Sequence, residues 1–290
     1  MPKQIKDYGK IRLVLMIVLA LNWSVAIAKI IFGLGSRSTS MTADGFHSLS
    51  DGASNIIGLI GIHFASKAKD IDHPYGHKKY ETFFSLGIAF LLFLVAIGII
   101  HESLGRFNNA IALNITPASF IVMVITIMVN FIVMRYESKK GIELKSDILL
   151  SDSMHTRADI FTSVSVIMAL IAIEMGFPLL DPVTSIIISV FIAYSGYKIV
   201  RQSSMILCDS AAIVDLKQIV DIVLSVEGVK TCHKIRTRGR PDDIYIDLHV
   251  QVDSEMHVGS AHKISYAIED AIKKSLPQVV DIVVHIEPKE

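Results

Sequence analysis

Apolar residues in the first two thirds of the chain fall in long runs, not in short amphipathic stripes. A helix needs about 20 mostly apolar residues to cross about 30 Å of hydrocarbon. Six segments reach that length, over roughly 11–32, 39–66, 82–100, 117–134, 146–173 and 182–200. The third and fourth carry no charge, whereas the second and fifth are weakly polar in their first halves. The first run is full length and no small-residue cleavage site follows it, which argues against a secretory signal. Near residue 211 the pattern changes. Asp215 can cap a helix through Leu224. A strand is expected over 229–238, followed by an Arg-Gly-Arg-Pro-Asp-Asp turn. Ile244, Ile246, Leu248, Val250 and Val252 then alternate with Tyr245, Asp247, His249 and Gln251, the period of a strand with one buried face. Over 258–275 a helix buries Ala261, Ile264, Ile268 and Ile272 and leaves His262, Tyr266, Glu269 and Lys273 outside. A last strand covers 279–287. The expected fold is a multi-pass α-helical membrane protein with six transmembrane helices and a small α+β domain, divided as 1–206 and 207–290.

Composition agrees with that division. The 290 residues hold 28 Lys plus Arg against 28 Asp plus Glu, 51% are hydrophobic, and the mean hydropathy is +0.51. So few charges, in balance, exclude a nucleic-acid binder that works by neutralising phosphates. They also exclude a disordered chain. Residues 1–206 carry 18 basic and 14 acidic residues (+4), and 207–290 carry 10 and 14 (−4). Lys3, Lys6, Lys10 and Arg12 precede the first span. Lys67, Lys69, Lys78 and Lys79 lie between the second and third, and Arg135, Lys139, Lys140 and Lys145 between the fourth and fifth. The opposite loops hold Arg37 and Arg106. By the positive-inside rule both termini are cytoplasmic. Cys208 and Cys232 then sit in a reducing compartment as free thiols.

The second and fifth spans share the pattern D-x-x-H-x-x-x-D: Asp44, His47 and Asp51 in one, Asp152, His155 and Asp159 in the other, 108 residues apart. Spacing of i, i+3, i+7 keeps the three side chains on one helix face. Ionisable groups in a span are costly and mark pathways or pair with each other. Two such pairs at matching depth argue against a merely structural polar cluster. Two imidazoles and two carboxylates make a tetrahedral Zn²⁺ donor set, and the lack of thiolate disfavours Cu(I). Asp44 and Asp152 either orient the imidazoles or are simply early-helix acids. The loop Asp70-Ile-Asp-His73-Pro-Tyr-Gly-His77 turns at Pro74 and Gly76. Asp70, His73 and His77 can therefore converge, at a site expected to be exposed. In the C-terminal part His249, His262, His285 and Glu287 can all point away from the core.

Six spans, H-x-x-x-D on the second and fifth, and a C-terminal domain together resemble the cation diffusion facilitator family of divalent-metal exporters. The resemblance covers nearly the whole chain. It implies a transport site at His47, Asp51, His155 and Asp159, with a lean towards zinc because members with His at the first position of both pairs tend to prefer it. Cd²⁺, Co²⁺, Fe²⁺ and Mn²⁺ suit the same ligands, and an Fe²⁺ or Mn²⁺ exporter is the first alternative. It adds weight to metal binding in the loop. It also implies metal ligands at His233, His249, His262, His285 and Glu287, where the family's last-position aspartate is Glu287. His233 shares strand parity with Ile235 and fits least well. The resemblance further implies a homodimer through this domain, in a bacterial inner membrane. Proton antiport follows from chemistry, since metal binds only deprotonated ligands. An intramembrane zinc enzyme would need an open coordination position and a base such as the Glu of H-E-x-x-H, which the sequence lacks. A membrane-anchored metal sensor would have no need of ligands in mid-membrane.

Overall fold

The computed structural model describes residues 7–35, 49, 52–108, 117–174, 180–212 and 214–289. Contacts divide the described residues into two compact units, one beginning at Asp7 and running to Ser203, the other beginning at Ser204.

In the first unit the long apolar runs are helices where they are described; most of the first half of the second run lies outside the described residues. The helices are α1 (Tyr8–Gly35), α2 (Ala53–Ala65), α3 (Lys79–Asn108), α4 (Pro117–Glu143), α5 (Asp147–Glu174) and α6 (Leu180–Leu207), the last ending just inside the second unit. Among the described residues, three segments are both long and apolar enough to span a bilayer: Tyr8–Ile31, Lys79–Gly105 and Phe120–Glu143. The bundle is inside-out. Ile17, Ile31, Phe90, Ile97, Met128, Ile132 and Phe191 are exposed, whereas Ser54, Asn55, Glu81, Glu137, Asp152, His155 and Ser189 are buried. Apolar side chains facing outwards suit lipid, because no water is there to solvate a polar surface.

Small residues set the helix spacing. A Cβ on Gly61 would lie 2.6 Å from Ile148 Cδ1 and 2.7 Å from Phe84 Cβ, and one on Gly58 2.9 Å from Ile148 Cγ2. These two glycines let α2 approach α3 and α5 at van der Waals contact, the usual device where lipid removes the hydrophobic drive between helices. α4 and α5 are joined by a tight reversal in which Lys145 adopts φ 50° and Ser146 accepts from the Leu149 amide. So short a link makes the two helices antiparallel neighbours.

The second unit contains α7 (Leu216–Leu224), β1 (Thr231–Arg240), β2 (Asp243–Asp253), α8 (Val258–Ser275) and β3 (Val279–Lys289). Asp215 caps α7, its carboxylate accepting from the Lys217 amide at 2.9 Å. β1 runs two residues further than expected, so the turn shrinks to Pro241-Asp242. The sheet order is β1-β2-β3, with β1 and β2 antiparallel and β2 and β3 parallel across the α8 crossover. One face of the sheet packs Ile244, Ile246, Leu248, Val250 and Val252 against Ile219 and Val223 of α7 and Ala261, Ile268 and Ile272 of α8. The other face carries the remaining strand positions.

Candidate metal sites

α5 turns Asp152, His155 and Thr156 inwards: His155 is 4% exposed, Asp152 fully buried, and Asp159 one turn on is half-buried. Arg157 lies outside, its guanidinium 5.2 Å from the Phe161 ring. The Asn55 amide of α2 donates to Asp152 Oδ2, and Asn55 Oδ1 accepts from Asn22 of α1 at 3.1 Å. A polar line thus crosses from α1 through α2 to α5. His47, Asp51 and Asp44 lie outside the described residues, so the structure places the α5 half of the expected four-ligand set.

Glu81, Asp147 and Glu137 are buried acids that the sequence pattern did not mark, and Glu137 is the one beside Asp152. Glu137 of α4 is fully buried, and the Thr156 hydroxyl lies 2.9 Å from its Oε2 and 3.2 Å from the Asp152 carbonyl. That hydroxyl has one proton, and the shorter contact takes it. The apolar run of the fourth span stops at Met134 and basic residues follow, but α4 stays helical to Glu143. The available signal was the inward stripe Thr126, Val133, Glu137 and Gly141 at helical spacing.

The loop residues converge. Gly76 supplies the positive φ (91°) that closes the turn, its amide donating to the His73 carbonyl at 2.9 Å. Asp70 accepts from the His73 amide at 2.7 Å and lies 3.1 Å from His73 Nδ1, with its other oxygen 3.3 Å from His77 Nε2. One ligand atom from each residue falls within 4.8 Å of the others. Desolvation pushes the Asp70 carboxyl up, yet the His73 amide, the two imidazoles and their charge hold it below the ordinary aspartate value. The expectation of an exposed site holds for Asp70, 51% exposed, and in part for His73, but not for His77, which is only 5% exposed. α3 starts two residues later, and its Tyr80 amide bonds the His77 carbonyl while the Tyr80 ring stacks on the imidazole at 5.7 Å. His77 Nδ1 is left buried without a hydrogen-bond partner. Tyr80, which also reaches His73 Nε2 through its hydroxyl at 3.3 Å, gave no sign in the sequence.

In the second unit Glu287 is a hub. His249 Nδ1 lies 2.6 Å from Oε1, His233 Nε2 3.1 Å from Oε2, and His285 Nε2 3.7 Å from Oε1. Register explains the meeting: His233 faces His249 across the hairpin, and His249 faces His285 across the parallel pair. The parity objection to His233 is removed by a bulge. Between the pairs His233–His249 and Arg236–Asp247, β1 has two residues where β2 has one. Lys234 takes up the extra residue in a left-handed conformation (φ 50°), so Cys232 and Ile235 both face the core and His233 does not. The His249 hydrogen bond, opposed by partial desolvation, holds the Glu287 carboxyl below its ordinary value, helped by the charges of His249, His233 and Lys234.

His262 does not join them. Its ring sits on the exposed side of α8, 4.7 Å from Tyr266. In a helix-on-sheet domain the two directions away from the core are opposite, so one layer's outward residues cannot meet the other's within one chain. His257, unassigned in the sequence, caps α8 by accepting from the Gly259 amide.

Both clusters offer imidazole and carboxylate donors that suit a divalent cation. Residues 15–208 match the model of the cation efflux transmembrane domain, and 213–289 that of the cation efflux protein cytoplasmic domain. The chain is 31% identical over 267 residues to an uncharacterized transporter of Methanocaldococcus jannaschii, covering 92% of this chain and 94% of that one. It is 29% identical over 282 residues to metal tolerance protein C1 of Arabidopsis thaliana, with 91% of this chain aligned but only 59% of that longer protein. The manganese efflux system protein MneS of Bacillus subtilis is 27% identical over 270 residues, 90% of each chain. A solved MamM CTD shares 31% identity over 26% of this chain and 91% of that one, with a TM-score of 0.25. By the match of both domain models the chain belongs to the cation efflux family, whose members are membrane transporters of divalent metal ions and not enzymes.

Proposed function

We propose that the protein exports Zn²⁺ from the cytoplasm in exchange for protons. His155 and Asp159 of α5 act with His47 and Asp51 of the second span as the four ligands. The observation that carries this reading is the burial of His155 beside a fully buried Asp152 on the inner face of a membrane helix. Ionisable groups are retained there when they line a pathway. His155 must be neutral to bind metal, so loading expels protons and protonation expels metal. In this reading both termini are cytoplasmic, the membrane is a bacterial inner membrane, and residues 207–290 pair two copies into a homodimer. Asp70 with His73 and His77, and His233, His249 and His285 with Glu287, bind further ions that regulate transport.

A second reading, Mn²⁺ or Fe²⁺ as the cargo, is favoured by one observation: two relatives, MneS and MneP, carry the name manganese efflux system protein. Selectivity among these ions comes from geometry and supply more than from affinity. The test is flux in proteoliposomes with Zn²⁺, Cd²⁺, Fe²⁺ and Mn²⁺ in competition, with internal pH recorded. The expected result is zinc preference with proton counterflow, both abolished in His155→Ala and Asp159→Ala. Wild-type flux in those variants would remove the transport site from this position. Preferred Mn²⁺ or Fe²⁺ flux would select the second reading.

A further inference from the structure

Two carboxylates meet inside the bundle. Glu137 of α4 and Asp152 of α5 are both fully buried and lie within hydrogen-bonding reach of each other. Each has one oxygen already served, Glu137 Oε2 by the Thr156 hydroxyl and Asp152 Oδ2 by the Asn55 amide. Each has one buried oxygen with no donor, Glu137 Oε1 and Asp152 Oδ1. The titratable groups acting on them from α5 are His155 and Asp159, while α2 contributes Ser54 and Asn55 and α1 contributes Asn22, none of them charged. Two ionised carboxylates cannot rest against each other without water or a cation between them. A single proton on the pair removes the second charge and supplies a donor that the two carboxylates otherwise lack.

We propose that Glu137 and Asp152 share one proton and form a proton-carrying site one helical turn from His155. On the cytoplasm-facing topology of α5, that turn lies on the cytoplasmic side. The role of this pair in transport rests on the exchange reading above. When a dication binds at His155 and Asp159, the O–H bond of the shared proton breaks and the proton leaves to water. The second negative charge stays on the pair, where the nearby metal offsets it. When the metal departs, the pair takes a proton back. The site thus adds an acid to the proton count that the four metal ligands alone do not supply, and it joins α4 to the helix that holds the cargo.

The pair has a spectroscopic signature independent of transport. Infrared spectra of the full-length protein in lipid at neutral pH are expected to show the C=O stretch of a buried protonated carboxyl. It should shift in heavy water and weaken when Zn²⁺ is added. Glu137→Gln and Asp152→Asn should each lose the band, since the amide then donates to an ionised partner, and Glu137→Asp should keep it. In proteoliposomes Glu137→Gln is expected to move metal with fewer protons returned per ion and a flatter pH profile. A band absent from the wild type, or unchanged in both amide variants, overturns the shared proton. A band that ignores Zn²⁺ while wild-type proton counterflow is intact overturns its part in exchange. Should the wild type move metal without proton counterflow, the exchange reading falls, and the pair's transport role with it, whereas the band still decides the shared proton. The zinc response of the wild type needs no variant, so misfolding of a mutant does not block the test.

Discussion

Lys234 holds a left-handed backbone conformation that costs a non-glycine residue about 1–2 kcal/mol. The cost is local, and its effect is to bring His233 onto the face of His249 and Glu287. Valine disfavours this φ strongly because of its branched Cβ. Lys234→Val is therefore expected to pull β1 back to regular alternation and weaken Zn²⁺ binding at the strand cluster about tenfold, the scale of losing an orienting contact. Lys234→Gly should leave it unchanged. Zinc titration of the full-length protein decides the matter. Glu287 supplies a second prediction at this scale. Its depressed pKa means that its stabilising contacts are complete above the ordinary glutamate value of about 4.3 and are lost as pH falls below it. Glu287→Gln should lower zinc affinity at this cluster at neutral pH, because the amide offers the ion no anionic oxygen.

Helices and strands with a clear period were legible in the residues: α5 with its inward Asp152 and His155, and β2 with its five core positions. Three features were not, each for its own reason. A bulge adds one residue without disturbing the hydrophobic pattern, so His233 read as facing the core. Glu137 was hidden because a buried acid amid Arg135, Lys139 and Lys140 resembles loop composition. His262 was grouped with the strand histidines because a sequence tells which residues avoid the core but not on which side of a two-layer domain they emerge. Close helix packing is likewise invisible until a neighbour is named. Gly61 meets Ile148 and Phe84, so Gly61→Val should force α2 off α3 and α5 at a cost of about 1–3 kcal/mol. Trp23, the sole tryptophan, lies against Gly52 at the start of α2 and offers a fluorescence readout of the loss. An unchanged thermal midpoint would mean that α2 does not need this contact.

At the scale of the molecule, the zero net charge is the sum of a basic membrane half and an acidic tail. The same asymmetry appears in packing: one unit exposes Ile and Phe and buries Asp and His, while the other buries Ile and Val and exposes most of its charges, Arg240 and Asp243 excepted. This makes the meaning of a surface mutation depend on the unit. Ile97→Asp, on the outer face of α3, should cost about 2.5–3.5 kcal/mol of insertion free energy and reduce the fraction recovered in the membrane. Val258→Asp, at a still more exposed position but on α8, should change nothing measurable in the same fractionation.

The strand cluster draws His233 and His249 from a local hairpin and Glu287 from a strand 38 residues beyond His249, paired in parallel across a helix. Hairpins close early and such long-range pairings late. An ion held there would therefore find its full set of ligands only after the folding barrier has been crossed. Its binding energy would do little for how fast the domain folds and would show almost entirely as a slower rate of opening. The bound metal would act as a brake on unfolding, so that the lifetime of the folded tail reports how much metal surrounds it.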